Sequence, residues 1–162
     1  MQLLHILQLL VLMTLANGTP IVAKKIFGPR FARPLDAGII FFDGRPVFGH
    51  SKTIRGILAS IVITAIGAPI IGMTLTIGAI VACAAMAGDL LSSFVKRRLN
   101  FAPSSRALGL DQVPESLLPM LACRDALSLT IADIALGVSI FFIGELILSR
   151  LLYQTHLRDR PY

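Results

Sequence analysis

The feature that most limits this chain is a series of long apolar runs almost free of charge. Leu3 to Val22, Ile54 to Met73, Leu75 to Val95 and Leu129 to Leu152 each reach the roughly 20 residues that a helix needs to cross a bilayer. A shorter run starts near Glu115 and ends around Arg124-Asp125. Only helices and closed barrels satisfy their backbones in lipid. The chain is therefore read as all-α, a polytopic membrane helix bundle of about five transmembrane helices. Composition agrees: 55% of the 162 residues are hydrophobic and 15% are charged, where a soluble domain carries about 25% charge. One integral membrane domain over residues 1–162 is expected, because helices of so short a chain have only each other to pack on.

Leu3 to Leu15, followed by Ala16-Asn17-Gly18, has the outline of a secretory signal, yet no Lys or Arg precedes it, only His5. It is read as a retained first helix, interrupted in its second half by Asn17, Gly18 and Pro20. Only a very short turn separates the second and third runs, so they form an antiparallel hairpin. Cys83 and Cys123 lie in apolar stretches and read as small buried hydrophobes, without zinc-type spacing.

Charge is concentrated between the runs. The net charge is +6. One polar loop spans about Ala23 to Thr53, with Lys24, Lys25, Arg30, Arg33, Arg45 and Lys52. The other spans about Lys96 to Glu115, and the tail carries His156, Arg158 and Arg160. The basic residues mark these segments as cytoplasmic, giving N-out, C-in and two long cytoplasmic polar loops in a multi-pass cell-membrane protein. They form no single solvated patch, which argues against nucleic acid as a partner.

Asp89 is the first candidate for chemistry. An ionisable group at that depth needs a partner or a ligand. Helical spacing places Asp89, Ser93 and Lys96 on one face, and the bland alternative is an Asp–Lys pair anchoring a helix end. Asp111 is the second candidate, just before the short run, where it and Glu115 could instead cap a helix beginning near Pro114. Two carboxylates suit Mg²⁺, which takes one or two carboxylates together with phosphate oxygens. Lys52, Arg55, Lys96, Arg97 and Arg98 could then hold a triphosphate.

Gly44 to Gly56 leads into the second run and offers glycines and a helix N-terminus to an anion. Gly-x-x-Lys-Thr lacks the strand and spacing of a P-loop, and Asp43-Gly44 reads as a plain turn. His5, His50 and His156 read as incidental or solvated. Asp133 and Glu145 are expected to face the bundle or an interface.

Gly88-Asp89-Leu90, Ser93, Lys96-Arg97 and Leu110-Asp111-Gln112 resemble the signature of membrane CDP-diacylglycerol synthases. The resemblance is closer to the CDP-archaeol synthase family. It is carried by Asn17 with Pro20, Asp43 to Gly56, Gly88 to Arg98, Pro103-Ser104 and Gly109 to Ser116, and covers Asn17 to Pro119. The Lys-Asp and His-Gly-Gly elements of the larger diacylglycerol enzymes are absent between Arg97 and Asp111.

The resemblance implies transfer of CMP from CTP to a membrane lipid phosphate, 2,3-di-O-geranylgeranylglyceryl phosphate, with release of pyrophosphate. It implies that Asp89 and Asp111 hold Mg²⁺ and act in catalysis with Lys96 and Arg97. Lys52, Thr53, Arg55, Gly56, Ser93, Arg98 and Asn17 would contact CTP or phosphate. Phosphatidate is the rival acceptor, and a non-enzymatic membrane transporter or assembly protein is the rival class.

Overall fold

A computed structural model describes residues 2–102, 105 and 107–154, with the backbone alone for Leu152 and Tyr153. Pro103-Ser104 and the tail residues His156, Arg158 and Arg160 lie outside the described residues. Helices α1 (Leu3–Phe27), α2 (Ile54–Gly67), α3 (Leu75–Arg98), α4 (Gln112–Ala122) and α5 (Ile131–Gln154) form the molecule, with a 3₁₀ turn at Ala68–Ile71 extending α2. There is no strand among the described residues, only isolated bridges at Pro34–Thr53 and Ile40–Pro46. Four helical segments are long and apolar enough to cross a membrane: Leu3–Phe27, Ile54–Ile71, Leu75–Arg98 and Ile131–Leu151. Large apolar side chains cover their outer surface, Ile70 at 84% exposure among them, as a bilayer-facing surface allows.

Helix α1 is continuous through Pro20 and runs to Phe27, past the expected boundary at Val22. Proline has no N–H, so the carbonyl of Ala16 loses its helical partner. Ser60 of α2 replaces it, its hydroxyl donating to Ala16 O at 2.8 Å. Gly56 allows the close approach there, since a Cβ at that position would lie 3.2 Å from Pro20 Cβ. Small residues also bring α2 and α3 together. A Cβ on Gly78 would stand 2.6 Å from Ala68 Cβ and 2.8 Å from the Thr64 carbonyl, the close packing that joins helices in lipid. The expected tight turn links them, with Gly72 left-handed at φ 78° and Thr74 capping α3.

Two side-chain contacts set the direction of the helices. Gln8, near the start of α1, donates to Ile71 O at 2.7 Å. The Gln2 amide donates to Asp133, at the start of α5, at 3.1 Å. The starts of α1 and α5 and the end of α2 therefore share one end of the bundle. Asp133 also accepts from the Thr130 amide and receives a bond from its hydroxyl, a reciprocal cap that accounts for this buried carboxylate. Ile6, Leu9, Leu12, Met13, Met120 and Ile134 build the main apolar core at that end.

Helix α4 is 11 residues long, about 16 Å, roughly half the hydrocarbon thickness. It begins deep inside the bundle. A Cβ on Gly88 would lie 2.3 Å from the Pro114 carbonyl oxygen and 2.8 Å from Glu115 Cα. Gly88 lies roughly ten residues, about 15 Å, before the end of α3. The chain has thus returned into the bundle by the start of α4. One expectation is corrected: Cys123 is buried, but Cys83 is exposed on the outer face of α3. Intramembrane interfaces favour small residues only where backbones approach, and Cys83 lies away from those contacts.

Gly88→Ala should lower stability by about 3 kcal/mol, because the added methyl meets backbone that cannot swing aside. Thermal unfolding in detergent, followed by labelling of buried Cys123 in a Cys83→Ser background, checks this. An unchanged melting temperature would contradict the α3–α4 contact.

Candidate functional site

Opposite the apolar core, α1, α2, α3, α4 and α5 surround a cleft of about 1210 Å³. Its wall includes Asn17, Lys52, Thr53, Arg55, Gly56, Asp89, Lys96 and Asp111, so most of the residues singled out from sequence meet in one place. Both aspartates line it, one from α3 and one from the N-terminal boundary of α4.

Each aspartate faces a lysine from another part of the chain. Lys52 Nζ lies 2.5 and 2.6 Å from the two Asp89 oxygens. Lys96 Nζ lies 2.6 Å from Asp111 Oδ1. The alternative of an Asp89–Lys96 pair on one helix face gives way to two crossed pairs. Burial alone would lower the Lys52 pKa; the Asp89 carboxylate, with Glu115 and Asp111 behind it, outweighs that and raises it. Lys52 thus feels both aspartates, and Asp89 also feels Lys96.

Local structure holds these groups. The Leu35 amide donates to Lys52 O at 2.7 Å and the Ile54 amide to Arg33 O at 3.1 Å, pinning the backbone on both sides of Thr53. Thr53 then caps α2, accepting from the Gly56 amide at 3.2 Å. Asp111 makes no side-chain cap bond to α4. Its Oδ2 accepts from the Ala107 amide at 2.9 Å, and Lys96 also donates to Ser105 O at 3.0 Å.

Three expected phosphate contacts lie elsewhere. Ser93, Arg97 and Arg98 are absent from the described cleft wall. Arg97 is buried and donates to Ala102 O at 2.9 Å. Arg98 pairs with Asp43 at 3.1 Å, donates to Pro46 O at 2.7 Å and stacks on Phe41 and Phe94. Arg45 returns the contact, donating to the last α3 carbonyls, Arg98 O at 2.7 Å and Arg97 O at 3.1 Å. The end of a helix concentrates unpaired carbonyls, and a guanidinium fork satisfies them. Arg55 lines the cleft while donating to Gly28 O and Arg30 O. Asp43-Gly44 forms the expected turn, with Asp43 accepting from the Arg45 amide.

Sequence reasoning undervalued two acids. Glu115 reads from sequence as a helix cap, yet it is buried and lines the cleft together with Asp89. Glu145 also lines the cleft. Its i+4 position after Phe141 was the available signal, but helix face alone does not distinguish a cleft from a subunit interface.

Carboxylates and ammonium groups at bilayer depth, paired and facing a common cavity, define an intramembrane charged site in a multi-pass helical protein. The chain belongs to the CarS-like family, CDP-archaeol synthase, whose model matches residues 2–162. It is 32% identical over 135 residues to the CDP-archaeol synthase of Sulfurisphaera tokodaii, covering 80% of this chain and 81% of that one. With the CDP-archaeol synthase of Aeropyrum pernix it shares 38% over 137 residues, 78% of this chain and 74% of the other. The match to that of Pyrococcus furiosus is 36% over 107 residues and spans 60% of each chain. A solved structure described as structural insight into an intramembrane enzyme for archaeal membrane lipids biosynthesis superposes with a TM-score of 0.69 at 27% identity, covering 85% of this chain and 90% of that one.

The first loop has its own acidic anchor. Asp36 accepts from the amides of Gly49 at 2.8 Å, Phe48 at 2.9 Å and Gly38 at 3.1 Å. Burial alone would raise its pKa, and these bonds hold it below the ordinary 3.8. A lowered carboxyl pKa stabilises the loop above its unfolded value and loses that contribution as pH falls through the folded one. Hydrogen exchange at Phe48 and Gly49, corrected for intrinsic rates, should therefore accelerate on acidification below the ordinary value. Asp36→Asn should remove that pH step, and a step of the same size in the variant would contradict the assignment.

Proposed function

We propose that this protein transfers CMP from CTP to a membrane lipid phosphate, 2,3-di-O-geranylgeranylglyceryl phosphate, forming CDP-archaeol and pyrophosphate. The observation that carries the reading is the meeting of Asp89 and Asp111 in one intramembrane cleft, each neutralised by a lysine. Family membership supports the same chemistry. The charged end of the bundle carries Lys24, Lys25, Arg97 and Arg98, which favours placing it at the cytoplasmic face of the cell membrane, where CTP is available.

The donor set suits Mg²⁺. No group of three or more His, Cys, Asp or Glu side chains is gathered among the described residues, and Mg²⁺ does not require one, since phosphate oxygens and water complete its shell. Asp111 Oδ1 is buried without a hydrogen-bond partner apart from its ion pair. Mg²⁺ held by Asp89 and Asp111 would offset the charge of the triphosphate.

In the reaction an oxygen of the lipid phosphate attacks the α-phosphorus of CTP. The new P–O bond forms as the bond to the bridging oxygen breaks, and pyrophosphate leaves. Phosphoryl chemistry of this kind depends mainly on positioning and charge neutralisation. Lys52 and Lys96 supply positive charge to the departing pyrophosphate. Thr53, Arg55 and Gly56 flank its site. Asn17 Nδ2, buried without a partner, offers a donor to a substrate oxygen. Arg97 and Arg98 act at a remove, by holding the loops around the cleft.

Asp89→Asn and Asp111→Asn should each reduce CDP-lipid formation at least about 100-fold per mole of folded protein. Labelled CTP and the purified lipid phosphate provide the assay, with EDTA abolishing activity and added Mg²⁺ restoring it. Full activity in either variant would remove that aspartate from the mechanism. Faster turnover of phosphatidate than of the ether lipid would change the acceptor.

A further inference from the structure

From the cleft we infer that its α1–α5 side is the berth of the acceptor lipid, with the phosphate held near Asn17 and Lys24 and the tails running towards Leu10. This rests on the cytidylyltransferase reading and adds where the lipid lies. The cleft-facing stripe of α1 is Leu10, Thr14, Asn17, Ile21 and Lys24, spaced by four, three, four and three residues, which keeps one helical face. Leu10 stands at its apolar end and Lys24 at its charged end, with Thr14, Asn17 and Ile21 between them. The two ends lie about 21 Å apart. The stripe matches a single-leaflet lipid, with head group at the charged end of the bundle and tails towards the mid-plane. The α5 side of the cleft is lined by Phe141, Gly144 and Leu148, with Glu145 and Ser149 among them.

An independent observation concerns the glycines. Gly78, Gly88 and Gly137 are places where a Cβ would strike a neighbour within 3 Å, so packing explains them. Gly18 and Gly144 also lie inside helices and line the cleft, yet a Cβ on either would meet nothing within 4 Å. Interior glycines weaken helices relative to alanine. Neither backbone approach nor a left-handed turn accounts for these two, and both preserve width on opposite walls of the same opening. Lys24 stands on the α1 wall, where the second phosphate of the reaction would arrive.

Gly144→Leu and Gly18→Leu test the berth by filling it from either side. Binding of 2,3-di-O-geranylgeranylglyceryl phosphate is read by native mass spectrometry, its KM by turnover with labelled CTP, and CTP affinity by equilibrium dialysis. Each leucine variant should weaken lipid binding and raise the lipid KM about tenfold or more, with CTP affinity within about twofold of wild type. Gly144→Ala should stay close to wild type. Lys24→Gln should likewise raise the lipid KM and spare CTP affinity, and it decides the matter should a leucine variant not fold. Normal lipid binding in the folded variants would overturn the berth. A wild-type protein that binds the lipid but forms no CDP-lipid would overturn the cytidylyltransferase reading, and the binding comparison would still decide the berth.

Discussion

A charge inside a bilayer must be matched close by, and the Lys52–Asp89 pair is where this molecule meets that demand first. The lysine comes from a loop and the acid from a membrane-spanning helix, so the pair joins the 28–53 segment to α3. Lys96 and Asp111 make the reciprocal connection from α3 to the segment entering α4. Removing one member of such a pair leaves an uncompensated charge, which is far more harmful than losing both. The positions of both loops, and the depth at which α4 begins, follow from keeping these two pairs intact. Gly88 makes this possible by letting the start of α4 lie directly against α3 beside Asp89.

The scaffold around the pairs separates two kinds of packing. At one end, large side chains such as Leu9, Leu12 and Met120 form a dry core. Towards the cleft, Ala16, Ala82 and Ala85 take over, and buried hydroxyls and charged groups appear among them. Lipid gives apolar side chains little reason to leave it, so close backbone contact and polar matching must hold that half together. The hydroxyl of Ser60 on the carbonyl freed by Pro20 is one such match. The Arg45 and Arg98 contacts at the end of α3 are another.

Much of this was legible in the sequence for a physical reason. Apolar length reports directly on bilayer thickness, so the four long helices and the tight α2–α3 turn could be read from hydropathy. Asp89 stood out because an acid is costly inside an apolar run, and Asp111 because it directly precedes the short run. The pairing was not legible. Spacing on α3 allowed an Asp89–Lys96 pair, but the depth at which α4 begins brings Asp111 to Lys96 and leaves Asp89 to Lys52. Arg98 looked like a phosphate ligand because a basic run at a helix end has the same appearance whether it binds a ligand or a neighbouring loop. What lets α1 run through Pro20 was not legible either, because the replacement hydrogen bond comes from another helix. Cys83 showed the remaining limit: an apolar run does not tell which of its faces meets lipid.

The crossed ion pairs also bear on the permeability of the surrounding membrane. A recess reaching into hydrocarbon and lined by bare carboxylates would attract small cations, and with them a hydration column along which ions or protons could leak. Here the ammonium groups of Lys52 and Lys96 occupy those positions in the resting protein. Internal neutralisation thus lets a cell keep a deep polar recess in its permeability barrier without making it a route for ion flow.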